Sequence, residues 1–299
     1  MMKKRKAMGA RSISEFDAVE ARKVSVANSK PFKRTPDAVK RKQDRRIKGP
    51  RGQIPIRVYT PEGRGPFPIV VYFHGGGWVV GSIDSLEEAT SKLANSAKAV
   101  VVSVDYRLAP EHKFPAAPED CYAAALWASN HAEEIDGDPG RLVVAGDSAG
   151  GNLAAAVCLM AREKGAPKIA LQLLVYPFID FTRDMSKFSS KEYGPTPSDC
   201  AWYKENYFGS VSDSAHLLAS PLLADLGGLP PAAIVTAQYD TFTEQANEYA
   251  RKLGDAGVKV STKEFRGMTH GFWGLPGYFD LGGAAVEWAA LQVRKLRWP

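Results

Sequence analysis

Six consecutive residues, Gly146-Asp147-Ser148-Ala149-Gly150-Gly151, carry the densest chemical signal in the chain. They follow a β-branched run, Arg141 to Ala145, and precede good helix formers, which is the strand-turn-helix context of a nucleophile elbow. So sharp a turn forces its central serine into a strained backbone conformation and requires that the residues two before and two after lack bulk. Gly146 and Gly150 meet that need. Ser148 would then stand above the carboxyl edge of a sheet, at the start of a helix whose free N–H groups favour developing negative charge.

A serine hydroxyl is a weak nucleophile near neutral pH; it needs a base to take its proton, and the base needs an acid to orient it. Five histidines are available. His74 precedes three glycines, His112 lies in a Pro-bounded turn, His131 in a helix and His216 in an irregular aromatic segment. His270, in Gly267-Met268-Thr269-His270-Gly271-Phe272, follows the last expected strand, and the chain order nucleophile, acid, histidine makes it the best base. The acid should follow the preceding strand, where Asp240 stands in Gln238-Tyr239-Asp240. Glu244 is the nearby runner-up, facing outward in a first helical turn, and a helix N-cap is the structural alternative for Asp240.

A tetrahedral oxyanion needs inward N–H donors, and His74-Gly75-Gly76-Gly77-Trp78 offers backbone with no Cβ in the way. Gly75 and Gly76 would donate, joined by Ala149 after the nucleophile. A phosphate loop is a poor rival because its Lys and Ser/Thr are missing, and no G-x-G-x-x-G opens a helix. No cofactor is implied, and no His/Asp/Glu cluster has metal-ligand spacing.

The elements that must position these residues read as strands at Gln53 to Tyr59, Pro68 to Phe73, Ala99 to Val104, Arg141 to Ala145, Ala170 to Tyr176, Ala232 to Ala237 and Val258 to Phe265. Nearly continuous apolar runs such as Ile69-Val70-Val71-Tyr72-Phe73 suit strands covered on both faces of a mostly parallel sheet. Helices are expected at Leu86 to Ala97, Ala117 to His131, Ala149 to Glu163, Thr243 to Leu253 and Ala284 to Leu296. The alternation predicts a doubly wound α/β domain. Residues 1–45 and 181–219 do not fit it. The second segment gathers Phe181, Phe188, Tyr193, Trp202, Tyr203, Tyr207 and Phe208, and both are expected to cover the sheet rather than join it.

At 299 residues the chain can bury a sizeable core, and 44% hydrophobic with 24% charged is ordinary globular composition. Cys121, Cys158 and Cys200 are odd in number and widely spaced, so no disulfide framework is indicated. The longest apolar run, Leu153 to Ala161, is far short of the roughly 20 residues that span a bilayer. No apolar stretch follows the basic cluster Lys3, Lys4, Arg5, Lys6, which argues against a secretory leader and for a cytoplasmic protein. Residues 1–50 carry 16 Lys and Arg against 5 Asp and Glu, so the remainder, with 23 against 28, is net acidic. A basic leader without aromatic interleaving reads as a solvated face rather than a nucleic-acid surface.

With these motifs quoted, the chain resembles an α/β-hydrolase of the hormone-sensitive lipase family, the bacterial branch of short-chain carboxylesterases, over residues 65–275. Besides the segments above, Val104-Asp105-Tyr106-Arg107-Leu108-Ala109-Pro110-Glu111-His112, Ser220-Pro221-Leu222 and His270-Gly271-Phe272 carry the likeness. The resemblance implies an α/β-hydrolase fold with a mostly parallel eight-stranded sheet, helices on both faces, and a helical cap built from 1–45 and 181–219 around a catalytic domain at 46–180 and 220–299. It also implies hydrolysis of short- to medium-chain acyl esters by Ser148, Asp240 and His270, with Gly75 and Gly76 in the oxyanion hole. The family's acid usually stands in Asp-Pro-Leu, whereas Asp240 is followed by Thr241-Phe242. Arg107 and Glu111 are expected to form a buried ion pair under the active-site floor. Trp78, Tyr176, Phe181, Trp202 and Phe272 are expected around an apolar substrate pocket. A homodimer through the sheet edge is a further expectation from the resemblance. The same machinery would serve an amide or lactone, and a pure binding module is the competing class; the retained His270 favours an enzyme.

Overall fold

The computed structural model describes residues 11–184, 186 and 194–296, so the basic cluster at Lys3–Lys6 and the expected cover residues Phe188 and Tyr193 lie outside the described residues. Eight strands form one sheet in the order β1-β2-β4-β3-β5-β6-β7-β8: Arg41–Gly49, Gly52–Thr60, Phe67–Phe73, Val100–Val104, Gly137–Asp147, Leu171–Val175, Ala232–Tyr239 and Val260–Thr269 for β1 to β8. Only β2 runs against the others, because it pairs antiparallel with both β1 and β4 while every remaining pair is parallel. Seven α-helices are present among the described residues: α1 Ala18–Ser29, α2 Glu87–Ala97, α3 Ala116–Asn130, α4 Ala149–Lys164, α5 Pro197–Tyr207, α6 Thr243–Asp255 and α7 Asp280–Arg294. None of them is long and apolar enough to cross a membrane.

The sheet separates two cores, and alternation along each strand feeds both. Ile69, Val71 and Phe73 of β3 face the side of α3, α4 and α6, while Val70 and Tyr72 join Leu93 of α2 and Val286 of α7 on the other side. That two-sided burial is why β3 reads as unbroken hydrophobics. From β3 the chain moves outward to β4 and then back past β3 to β5, so the strand order reverses between β3 and β5. A crevice opens at such a reversal, outside the carboxyl ends of the strands.

β1 was not expected as a strand, and it begins inside the segment assigned to the cover. Its sequence RKQDRRIKG holds one buried apolar residue, Ile47, opposite Ile54 of β2. An edge strand needs little more, and its charges protect the open edge. Acids from the rest of the chain meet these cations: Arg41 pairs with Asp136 at 2.8 Å and Lys42 with Glu87 at 2.7 Å.

The two segments flanking the sheet are joined to each other. Trp202 Nε1 of α5 donates to Phe16 O at 3.0 Å, and Ser12 Oγ donates to Asp199 Oδ1. The expected Arg107–Glu111 pair is not formed. Arg107 grips the fully buried Asp120 of α3 with Nε and Nη2, each at 2.8 Å, whereas Glu111 at the solvent edge receives Arg22 of α1 at 2.6 and 2.8 Å. Each carboxylate thus meets one guanidinium with both oxygens, and a fully buried Asp120 has to be paired where it stands, which claims Arg107.

Candidate active site

Between the end of β5 at Asp147 and the start of α4 at Ala149 there is one residue, Ser148, with φ 55° and ψ −116°. This conformation is strained for a side chain and persists because the neighbours leave the chain no alternative. A Cβ on Gly146 would stand 2.2 Å from Gly150 O, and one on Gly150 only 1.9 Å from Phe73 O of β3. The two glycines therefore let α4 pack against the strands at the point where the serine is turned out.

β7 and β8 are neighbours in the sheet and deliver their following loops to the same edge. Asp240 follows β7, His270 follows β8, and the side chains meet Ser148 in a line: His270 Nε2 to Ser148 Oγ 2.8 Å, His270 Nδ1 to Asp240 Oδ2 2.8 Å. A carboxylate only accepts, so Nδ1 carries the proton and Nε2 is left to accept the Ser148 O–H. The Asp240 side chain is fully buried and its second oxygen accepts Phe242 N–H at 2.9 Å, which fixes the carboxylate plane. α6 is capped at Phe242, so the N-cap alternative for Asp240 does not apply. Glu244, the runner-up acid, is exposed.

The loop after β3 corrects one expected donor. Gly75 N–H is taken by Asp147 Oδ1 at 2.9 Å and so is not free to hold an oxyanion. The next two amides are. Gly75 O accepts from His74 Nδ1 at 2.9 Å, and Gly76 O accepts from Val80 N–H at 2.9 Å. A trans peptide points its N–H opposite to its C=O, so turning those two carbonyls away turns the Gly76 and Gly77 N–H groups toward the cavity that both residues line. The same holds across the elbow, where Ser148 O accepts Asn152 N–H at 3.1 Å and leaves Ala149 N–H directed the other way. Among the described residues no acceptor pairs with the amides of Gly76, Gly77 or Ala149. The loop needs glycine twice over: Gly76 has φ +128° and Gly77 φ +59°. Beneath it His74 is buried, stacked on Tyr106 at 4.3 Å, and its burial holds the imidazole below its ordinary pKa and so neutral.

A cavity of about 180 Å³ opens over Ser148. Trp78 and Phe181 line it as expected; Tyr176, Trp202 and Phe272 do not. Tyr176 packs on the His270 ring at 4.6 Å with Phe272 behind it, and the Trp202 indole is spent on Phe16 O. The wall is completed by Phe178, Phe242, Pro195, Cys200 and Tyr203, which sequence reasoning missed. Phe178 lies two residues past Tyr176, a spacing that would put both on one side of an extended chain, but Tyr176 has φ +35° and the two rings end in opposite cores. Cys200 and Tyr203 are three apart on α5, a spacing that puts both on one helix face and could have signalled a shared wall. Among the described residues no group of three or more His, Cys, Asp or Glu side chains could hold a metal ion.

A family model described as alpha/beta hydrolase fold matches residues 70–274. Among curated proteins, the carboxylic ester hydrolase LipN of Mycobacterium tuberculosis is 44% identical over 264 residues, covering 85% of this chain and 69% of its own length. An arylesterase of Saccharolobus solfataricus is 37% identical, covering 80% and 79% respectively. Among solved structures, EstE1, a thermophilic carboxylesterase from a metagenomic library, superposes with TM-score 0.90 at 38% identity, covering 95% of this chain and 99% of that one.

Proposed function

This chain belongs to the alpha/beta hydrolase fold family, in its hormone-sensitive lipase branch, and is a carboxylic ester hydrolase; on that premise we propose that it cleaves short- to medium-chain acyl esters through a Ser148–His270–Asp240 acyl-enzyme. The observation that carries this reading is the unbroken line of 2.8 Å contacts from Ser148 Oγ through the His270 ring to Asp240, beside three unclaimed amides. Ser148 Oγ attacks the ester carbonyl while His270 Nε2 takes its proton. The carbonyl electrons move onto an oxygen held by the Gly76, Gly77 and Ala149 N–H groups, in place of the Gly75 donor first expected. Collapse of that intermediate breaks the C–O bond, and His270 returns the proton to the leaving alcohol. Water, giving a proton to the same imidazole, then attacks the acyl carbonyl; the bond to Ser148 Oγ breaks, the acid leaves, and His270 returns that proton to Ser148 Oγ. Asp240 keeps the imidazole in the Nδ1–H tautomer and offsets its positive charge.

Chain-length preference follows from the wall. The cavity is smaller than the roughly 300–1,000 Å³ of sites that take drug-sized ligands. Trp78, Phe178, Phe181 and Phe242 make it apolar. Each acyl methylene buried there should add about 0.8 kcal/mol, roughly fourfold in kcat/KM, until the chain meets the aromatic wall. The cover built from the N-terminal segment and 181–219 belongs to the same proposal as a cap over this pocket.

The test is a series of p-nitrophenyl esters on purified protein beside Ser148→Ala. Wild type should be labelled at Ser148 by a fluorophosphonate and should prefer acyl chains below about ten carbons. Ser148→Ala should lose turnover and labelling with its melting temperature retained. Turnover unchanged in Ser148→Ala excludes this nucleophile, and preference for longer chains rejects the proposed substrate class.

A further inference from the structure

The side chain of Asp147 lies between the two halves of the oxyanion hole, and no step of the reaction above uses it. Its Oδ1 accepts two hydrogen bonds, from Gly75 N–H at 2.9 Å and from the buried Tyr72 O–H at 2.8 Å. A Cβ built on Gly75 would stand 2.4 Å from Oδ2, so the loop approaches this carboxyl as closely as a glycine allows. Asp147 immediately precedes the nucleophile, and Gly75 immediately precedes the first free amide. The strands that carry them are adjacent, with Phe73 of β3 in register with Gly146 of β5. One side chain therefore fixes the glycine loop after β3 to the elbow after β5.

We propose that Asp147 is a positioning residue, holding Gly75 so that the Gly76 and Gly77 amides converge on the point that Ala149 N–H also reaches. The inference rests on the ester-hydrolase reading and adds to it what keeps the hole assembled. Both bonds go to Oδ1, and no described residue donates to Oδ2. The loop therefore needs an acceptor oxygen rather than a negative charge. Asparagine supplies that oxygen with its amide carbonyl; alanine does not.

The experiment measures kcat and KM on a p-nitrophenyl ester for wild type, Asp147→Ala, Asp147→Asn and Tyr72→Phe, with melting temperatures and the affinity of a trifluoromethyl ketone. That ketone adds to the serine and places its own oxyanion in the hole, so its binding follows the hole and a purely structural role leaves it unchanged. Asp147→Ala is expected to lower kcat about 10²-fold, the scale of one lost donor, with KM within about threefold and the ketone weakened in parallel. Asp147→Asn should recover to within about tenfold of wild type. Wild-type kcat in Asp147→Ala overturns the proposal, and so does an asparagine variant as impaired as the alanine one. If Asp147→Ala does not fold, Tyr72→Phe, which releases one of the two donors steering Oδ1, decides: a fall of about 3- to 10-fold in kcat supports the role, and wild-type kcat overturns it. A wild-type protein that neither cleaves the ester nor is labelled at Ser148 refutes the esterase reading itself, whereas one that does both beside an unimpaired Asp147→Ala refutes only the positioning role.

Discussion

Gly77→Ala should cripple turnover for two separable reasons, and a second substitution should separate them. Gly77 has φ +59°, the left-handed region, which costs an L-residue roughly 1–2 kcal/mol. Its new Cβ would also stand 2.2 Å from Tyr203 Cδ1 and 2.3 Å from Cε1, against the about 3.5–4.0 Å of an ordinary carbon contact. The ring and the methyl must part by more than about 1 Å, so either α5 lifts or the loop sinks and takes the Gly77 N–H out of line. Loss of that donor should cost about 2.7–4 kcal/mol in the transition state, or 10²- to 10³-fold in kcat. The backbone strain should lower the melting temperature by roughly 2–8 °C. Steady-state rates on p-nitrophenyl butyrate and calorimetry read the two effects separately. Adding Tyr203→Ala removes the collision but leaves the strain, so the double variant should regain at least about tenfold in kcat while its melting temperature stays low. Wild-type kcat in Gly77→Ala, or a double variant no faster than the single, would refute the claim that this contact sets the donor.

Two further outcomes follow from the same geometry. Asp240→Asn keeps the shape but lets an amide donate to His270 Nδ1, favouring the tautomer that cannot accept the Ser148 proton; kcat should fall on the order of 10³–10⁴-fold with the melting temperature little changed, and a fall below tenfold in stopped-flow acylation would count against it. The Glu111 carboxyl, ordinarily 4.5, is pushed down to about 2 chiefly by the Arg22 hydrogen bonds, so its contribution is complete above pH 4.5 and is lost as pH falls toward 2. Glu111 is about half exposed, which limits the pair to roughly 1 kcal/mol or less. Calorimetry of Glu111→Gln against wild type should show a melting-temperature deficit that is constant above pH 5 and shrinks below 4.5; a deficit independent of pH refutes the assignment.

What the sequence made legible was local or topological. The elbow could be read because its demand is steric and lies within five residues: no side chain fits 1.9 Å from Phe73 O. Asp240 and His270 could be read because parallel strands put every following loop on one edge, so chain order alone brings them to Ser148. The misreadings each depended on a partner far away in sequence. Gly75 looks like its two neighbours until Asp147 claims its N–H. Arg107 and Glu111 are four apart and of opposite charge, yet α3 supplies Asp120 to one and α1 supplies Arg22 to the other. Tyr176 and Phe178 are two apart and would share a side in an extended chain, but the positive φ of Tyr176 sends one ring onto His270 and leaves the other to line the cavity. β1 was missed because a charged edge strand buries a single residue.

The loop proposed to supply two of the three oxyanion amides depends heavily on contacts from elsewhere in the chain. Gly76, Gly77 and Trp78 all have positive φ, and for the tryptophan, at φ 63°, that conformation is costly without outside support. Support comes from elements distant in sequence: Ala109 N–H donates to Trp78 O at 2.9 Å, and three side chains add to it. Asp147 holds the loop at Gly75, Arg22 of α1 donates to Val79 O at 2.8 Å, and the Tyr203 ring of α5 rests on Gly77. Two of those three belong to the segments outside the sheet. The same loop also provides the Trp78 ring, stacked on Tyr207 of α5 at 4.6 Å, as a wall of the cavity over Ser148. The cavity wall and the proposed oxyanion donors are thus one short peptide held by α1 and α5, so any movement of either helix that reshapes the cavity also moves those amides. The proposed mechanism therefore predicts that acyl selectivity and turnover change together when either helix is displaced.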